Sequence, residues 1–127
     1  MPTNFPAVTG QVVTADFANQ LVAFTVTTET GSYTLDNDDL YQVFIQLSAA
    51  GTKTVTIPPD STLTAAVVGS AITFCNTGAG LLTFAAGAGV TISSSGAVSA
   101  APTLAQHKVA QAVRVGVNTY RIFGGIG

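Results

Sequence analysis

Asp36, Asp38 and Asp39 form the densest group of chemistry-bearing side chains in the chain. Calcium takes several carboxylate oxygens from one loop. The spacing here lacks the glycine and the distal glutamate of a calcium loop, so a capped polar turn that opens one helical turn is the better reading. Cys75 and His107 are the single cysteine and the single histidine. A thiol nucleophile needs a base beside it. Cys75 falls in an alternating strand pattern, where a small buried hydrophobe is the default. One histidine cannot complete a metal cluster or a triad, though His107 can serve as a pH-sensitive contact at an interface. The stretch Gly78–Gly89, GAGLLTFAAGAG, is glycine-rich, but no Lys-Ser/Thr and no helix follow it as a phosphate loop requires. Phe74, Phe84, Tyr120 and Phe123 offer rings to a sugar, yet at strand spacing they read as core. The expectation is a non-enzyme with no catalytic residue, no cofactor and no metal site.

The elements that carry these residues are strands. Thr, Val, Ile, Phe, Gly and Ser dominate, which is strand and turn chemistry. Met1–Pro6 holds two prolines and reads as an extended arm. A strand over Leu21–Thr27 places Val22, Phe24 and Val26 on one face. Tyr33 and Leu35 alternate before the Asp36–Asp39 turn; Val43, Ile45 and Leu47 resume the period, and Ala49-Ala50-Gly51 turns the chain. Lys53–Ile57 is a short strand halted by Pro58-Pro59, which cannot continue a ladder, and Asp60-Ser61 completes that turn. Ile72 and Phe74 share a face, Asn76–Gly80 reads as a hairpin loop, and Leu82 and Phe84 follow. Ala86–Gly89 and Ser93–Gly96 are further turns around Val90 and Ile92. Val113, Val115 and Val117 keep odd parity while Tyr120 and Ile122 keep even parity, so the last two strands form a hairpin with its turn between Gly116 and Thr119. Turn signals recur every 8–12 residues or so, which argues for an antiparallel β-sandwich or jelly-roll-like domain. An arm and first strand over 1–30 and a sandwich domain over 31–127 are the expected divisions, with no internal repeat strong enough for a solenoid.

Composition narrows the function. The chain has 127 residues, enough for one domain with a real core. Charged residues make up 8%, against about 25% in an ordinary soluble domain. A surface this poor in charge points to faces covered by other chains. Net charge is −2, and Lys53, Lys108, Arg114 and Arg121 are too few for the basic footprint that nucleic-acid binding needs. The last three read as belonging to a solvated hairpin. Residues 1–20 lack the basic and apolar regions of a secretory signal. Leu63–Cys75 is too short and too interrupted to span a bilayer. The expected partners are other copies of the chain and a larger assembly, with neither nucleic acid nor membrane.

The order and spacing of SYTLDNDD (32–39), TVTIPPDS (54–61), GSAITFCNTGAG (69–80), LTFAAGAGVTISSSG (82–96) and VRVGVNTYRIFG (113–124) resemble a β-domain of tailed-phage virion proteins, found in tail fibres and capsid-attached proteins. Tyr120 stands where a tryptophan is common. The resemblance implies a homotrimeric, non-enzymatic virion component assembled in the host cytoplasm. With a short arm before the domain and nothing after it, the chain is expected to be a head decoration (cement) protein on the capsid surface. It would bind at junctions between major capsid subunits. The arm Met1–Val13, with Pro2, Asn4, Phe5, Pro6 and Val8 as contacts, is expected to reach onto the capsid. The alternative is a tail-fibre, spike or head-fibre module that reads a host glycan with loops such as Gly78–Leu81 or Ser93–Gly96.

Overall fold

A computed structural model describes residues 23–40, 43–94 and 101–126. The strands are β1 (Thr25–Glu29), β2 (Tyr33–Thr34), β3 (Val43–Leu47), β4 (Lys53–Ile57), β5 (Ala71–Asn76), β6 (Leu82–Ala86), β7 (Thr91–Ser94), β8 (Thr103–Leu104), β9 (Val109–Gly116) and β10 (Thr119–Gly124). Four residues, Asn37–Leu40, form a 3₁₀ turn. The chain is all-β, as its composition implies. Sheet A has the order β1-β3-β5-β9-β10-β7 and sheet B the order β2-β4-β6-β8. The arm residues Pro2, Asn4, Phe5, Pro6 and Val8 lie outside the described residues.

The pairing corrects the antiparallel expectation. From β1 to β9 the chain alternates between the two sheets at every strand. Five of the eight strand pairings are parallel, β1–β3, β3–β5, β2–β4, β4–β6 and β7–β10. Only β5–β9, β9–β10 and β6–β8 are antiparallel. Parallel neighbours need a crossover, which is often a helix. Here the crossover from one sheet A strand to the next is a sheet B strand, so the chain winds as a coil. Asn76–Gly80 is therefore not a hairpin loop. It is a corner that carries the chain from sheet A to sheet B.

Two turns of this coil lie in register over a long stretch. Phe44 pairs with Thr73, Lys53 with Leu82 and Ile57 with Ala86, a step of 29 residues each time. The corner between β3 and β4 obeys the same step. A Cβ built on Gly78 would collide with the Ala49 carbonyl, and one built on Gly80 with the Gly51 carbonyl. The obstruction is backbone, so the corners approach as closely as two chains can, and only glycine fits. Lys53 fastens the junction: its Nζ donates to the Ala49 oxygen at 2.7 Å and to the Gly80 oxygen at 2.9 Å.

Inward positions of both sheets fill one core. Ile45, Leu47, Ile72, Phe74, Tyr120 and Ile122 come from sheet A, and Val55, Ile57, Leu82, Phe84 and Leu104 from sheet B. Phe74 and Phe84 meet across the layers edge to face, with ring centroids 5.1 Å apart. Truncating either ring to alanine costs about 3–5 kcal/mol. On β9 two of the three buried residues are small, Ala110 and Ala112, and the third is Arg114. Ala110 faces Phe74, and Ala112 lies between Ile72 and Ile122. Ile72 and Ile122 on the two neighbours leave room for a methyl only at Ala112, while Ala110 lies between Phe74 and Gly124, and the valines take the outward positions. The closing hairpin forms as expected, with Asn118 at φ +48° in its turn.

The corner contact yields a sharp contrast. Gly78→Ala is expected to lower stability by about 3 kcal/mol, the upper range for overpacking. Gly31→Ala, with open space around it, should stay within about 0.5 kcal/mol of wild type. Urea denaturation of the two variants checks this; equal stability would remove the corner from the account.

Candidate interaction surface

The pleat of sheet A fixes what its outer face presents. Register aligns Val26, Phe44, Thr73, Gln111 and Phe123 in one row across β1, β3, β5, β9 and β10. The adjacent row is Thr28, Gln46, Cys75 and Val109. Phe24 is 55% exposed, Val26 59% and Phe123 39%. Phe24 leans on Phe44 with ring centroids 6.3 Å apart. Val115 and Val117 extend the apolar character to the hairpin tip. Of the outward side chains on the six strands only Arg121 is charged. The outer face of sheet B differs. It is ranked with threonines: Thr54 pairs with Thr83, Thr83 with Thr103, and Thr34 with Thr56.

Charge has been spent inside. Arg114, expected in a solvated hairpin, is buried, and so is Lys53. Arg114 donates from Nε and Nη2 to the two carboxylate oxygens of Asp60, at 3.2 and 2.7 Å. Asp60 and Asn118 then clasp each other: the Asp60 amide donates to Asn118 Oδ1 at 2.7 Å, and the Asn118 amide donates to Asp60 Oδ2 at 2.9 Å. This ties the corner after β4 to the β9–β10 hairpin. The Arg114 hydrogen bonds, helped by the Asn118 amide, hold the Asp60 carboxyl below the usual range. The inward parity that buries Ala110 and Ala112 also turns Arg114 inward, which is why the solvated-hairpin reading fails for it.

The aspartate group proves to be a folded turn. Asp36 Oδ1 accepts the Asp38 amide at 2.9 Å, as a capping residue does. Asp39 is buried, and its Oδ2 accepts the Tyr33 hydroxyl at 2.7 Å and the Asp36 amide at 2.9 Å. Burial pushes the Asp39 carboxyl up, against these hydrogen bonds. No group of three or more His, Cys, Asp or Glu positioned to hold a metal occurs among the described residues. Cys75 is half-buried on the outer face of sheet A and free. His107 is exposed at φ +67°; its amide donates to the Asn76 carbonyl at 2.6 Å, and no hydrogen bond joins its ring to Cys75 among the described residues.

Of the four aromatics, Phe74, Phe84 and Tyr120 are fully buried and Phe123 is on the outer face. Tyr120 fills the core, although its hydroxyl has no hydrogen-bond partner among the described residues. Gly78–Leu81 is committed to the corner contact, while Ser93 and Ser94 close β7 and positions 95–96 lie outside the described residues. Among the described residues no helix is long and apolar enough to cross a membrane. Comparison with protein-family models, curated proteins and solved structures finds no match to the chain.

The clasp predicts a signed pH response. A carboxyl held low in the fold contributes stability that is present above its ordinary pKa and lost as pH falls through the folded value. Asp60→Asn is expected to be less stable than wild type at neutral pH, with the gap closing between about pH 5 and pH 2. Thermal melts across that range check it. A gap that stays constant would mean that Asp60 titrates alike in the folded and unfolded chains.

Proposed function

We propose that this chain is a structural protein of a tailed-phage virion. In this reading it works as a homotrimeric decoration or cement protein on the head, bound at junctions between major capsid subunits. The observation that carries the proposal is the outer face of sheet A, a broad, nearly uncharged surface with Phe24 and Val26 more than half exposed. Apolar patches of this kind mark contact sites, and obligate interfaces resemble a core cut in two. The one ion pair among the described residues, Asp60–Arg114, and the carbonyl-capped Lys53 are largely covered, so association would desolvate few ions. The resemblance of the segments between Ser32 and Gly124 to virion β-domains supplies the setting.

The reading gives the arm residues Pro2, Asn4, Phe5, Pro6 and Val8 the capsid contacts. It describes the two layers as a sandwich-like body wound in parallel. The glycan-reading alternative is less well supported. The threonine-ranked outer face of sheet B offers hydroxyls but no outward ring on which a sugar would stack.

Purified protein added to capsids that lack it should cosediment with them and saturate. Deleting residues 2–8 should abolish that binding while leaving the oligomer intact. Failure of the full-length chain to bind would overturn the decoration role, and full binding by the truncated chain would remove the arm from it.

A further inference from the structure

Charge is scarce in this chain, so the position of each charge that remains outside the core is informative. Among the described residues the one ion pair is Asp60–Arg114. Lys53 is buried against two carbonyls, and Asp39 is buried against the Tyr33 hydroxyl. That leaves Glu29, Asp36 and Asp38 on the acidic side of the account, and Lys108 and Arg121 on the basic side. Glu29 is half-buried and the other four are exposed. None of the five has an ion-pair partner among the described residues.

The fold keeps the two signs apart. Glu29 ends β1, and Asp36 and Asp38 belong to the turn that precedes β3. Burial is the main cause that raises the Asp39 carboxyl, and the charges of Asp36 and Glu29 add to it, which puts these acids in one neighbourhood. Lys108 immediately precedes β9, and Arg121 lies on β10. In sheet A, β3 and β5 stand between β1 and β9. Adjacent strands are about 4.8 Å apart, so β1 is about 14 Å from β9 and about 19 Å from β10. That is too far for a direct pair and longer than the screening length of about 8 Å at physiological salt. Each group of charges also borders exposed apolar side chains. Phe24 and Val26 are exposed on the acidic side, and Val109, Val115 and Phe123 on the basic side.

We propose that these two sides are the two halves of one contact between copies of this chain: the basic β9–β10 side of one copy, around Arg121 and Phe123, seats the acidic side of the next, around Asp38 and Phe24. The inference rests on the oligomer part of the reading above and gives that oligomer its contact. Complementarity of charge selects the occupant. Pairing either side with its like would set charges of one sign against each other, and such juxtaposition is strongly unfavourable. Pairing the unlike sides is a heterologous, head-to-tail contact, which closes into a ring when the rotation between copies allows it. The division of labour is physical. Burial of the apolar side chains supplies the affinity, since an exposed ion pair contributes little by itself. The charges decide which sides meet and in what orientation.

Charge exchange tests this on the full-length chain. Arg121 and Asp38 are the targets, because both are exposed and neither takes part in the clasp at Asp60. By sedimentation velocity wild type should be an oligomer. Arg121→Glu and Asp38→Lys should each raise the dissociation constant at least about tenfold, with unchanged far-UV circular dichroism. The double variant carries the exchanged pair and should recover most of that loss. A wild type that stays a single chain would leave these sides to the capsid and overturns the proposal. So does a single variant that associates as wild type does, or a double variant no tighter than either single one. Salt provides a readout that needs no variant to fold. The dissociation constant of wild type should rise as salt goes from about 0.05 to about 0.5 M, because screening weakens the attraction between the two sides. A constant that does not rise overturns the contact. None of these experiments uses capsids, so failure of the decoration role and failure of this contact are read separately.

Discussion

The backbone of the corner at Ser48–Thr52 lies directly against that of the corner at Thr77–Leu81, and most of the architecture is tied to that contact. It admits no side chain at Gly78 or Gly80. It holds β3 against β5 and β4 against β6 at the same 29-residue step, so two sheets are built at once from one offset. Lys53 closes the junction by donating to a carbonyl from each corner. A buried ammonium is costly unless its protons are taken up, and burial does push the Lys53 amine down. Its placement is thus a consequence of stacking: a long cationic side chain reaches one carbonyl from each corner, and Asn76 Nδ2 also donates to the Gly80 carbonyl at 2.9 Å.

Closure at the far end of the molecule relies on a different contact. Once the coil has placed β9 and β10 beside β5, Arg114 points inward and needs an anion. Asp60, at the corner after β4, supplies it across the two sheets. Exposed pairs contribute little to stability, but this one is largely covered and is locked by the reciprocal Asn118 bonds. Two of the four cations are in this way turned to internal use. The outer face of sheet A is left nearly without charge, and that is the property on which the proposed assembly role rests.

Much of the local structure was legible in the residues. Lys53–Ile57 begins and ends where the strand pattern and Pro58-Pro59 place it. The inward sets Val43/Ile45/Leu47, Ile72/Phe74 and Leu82/Phe84 follow from period two. The Asp36 cap and the closing hairpin were also readable. The direction of pairing was not. A strand alternates identically whether its neighbour is parallel or antiparallel, and the glycines of Asn76–Gly80 suit a hairpin and a tight corner equally well. The turn of the coil is not legible in the residues because its two copies share few side chains, being held in step by backbone proximity. The Asp60–Arg114 clasp joins residues 54 apart, a distance over which no local pattern speaks. Which parity of β9 faces inward was hidden too, since valine suits either face and only the bulk of Ile72, Phe74 and Ile122 decides it.

The central claim is that the chain works by burying the outer face of sheet A in an assembly. A cryo-EM map of the intact particle, at a resolution that shows side chains, tests it most directly. The account predicts that Phe24, Val26 and Phe123 are covered by protein. A map in which these residues face solvent around a solitary chain would contradict it.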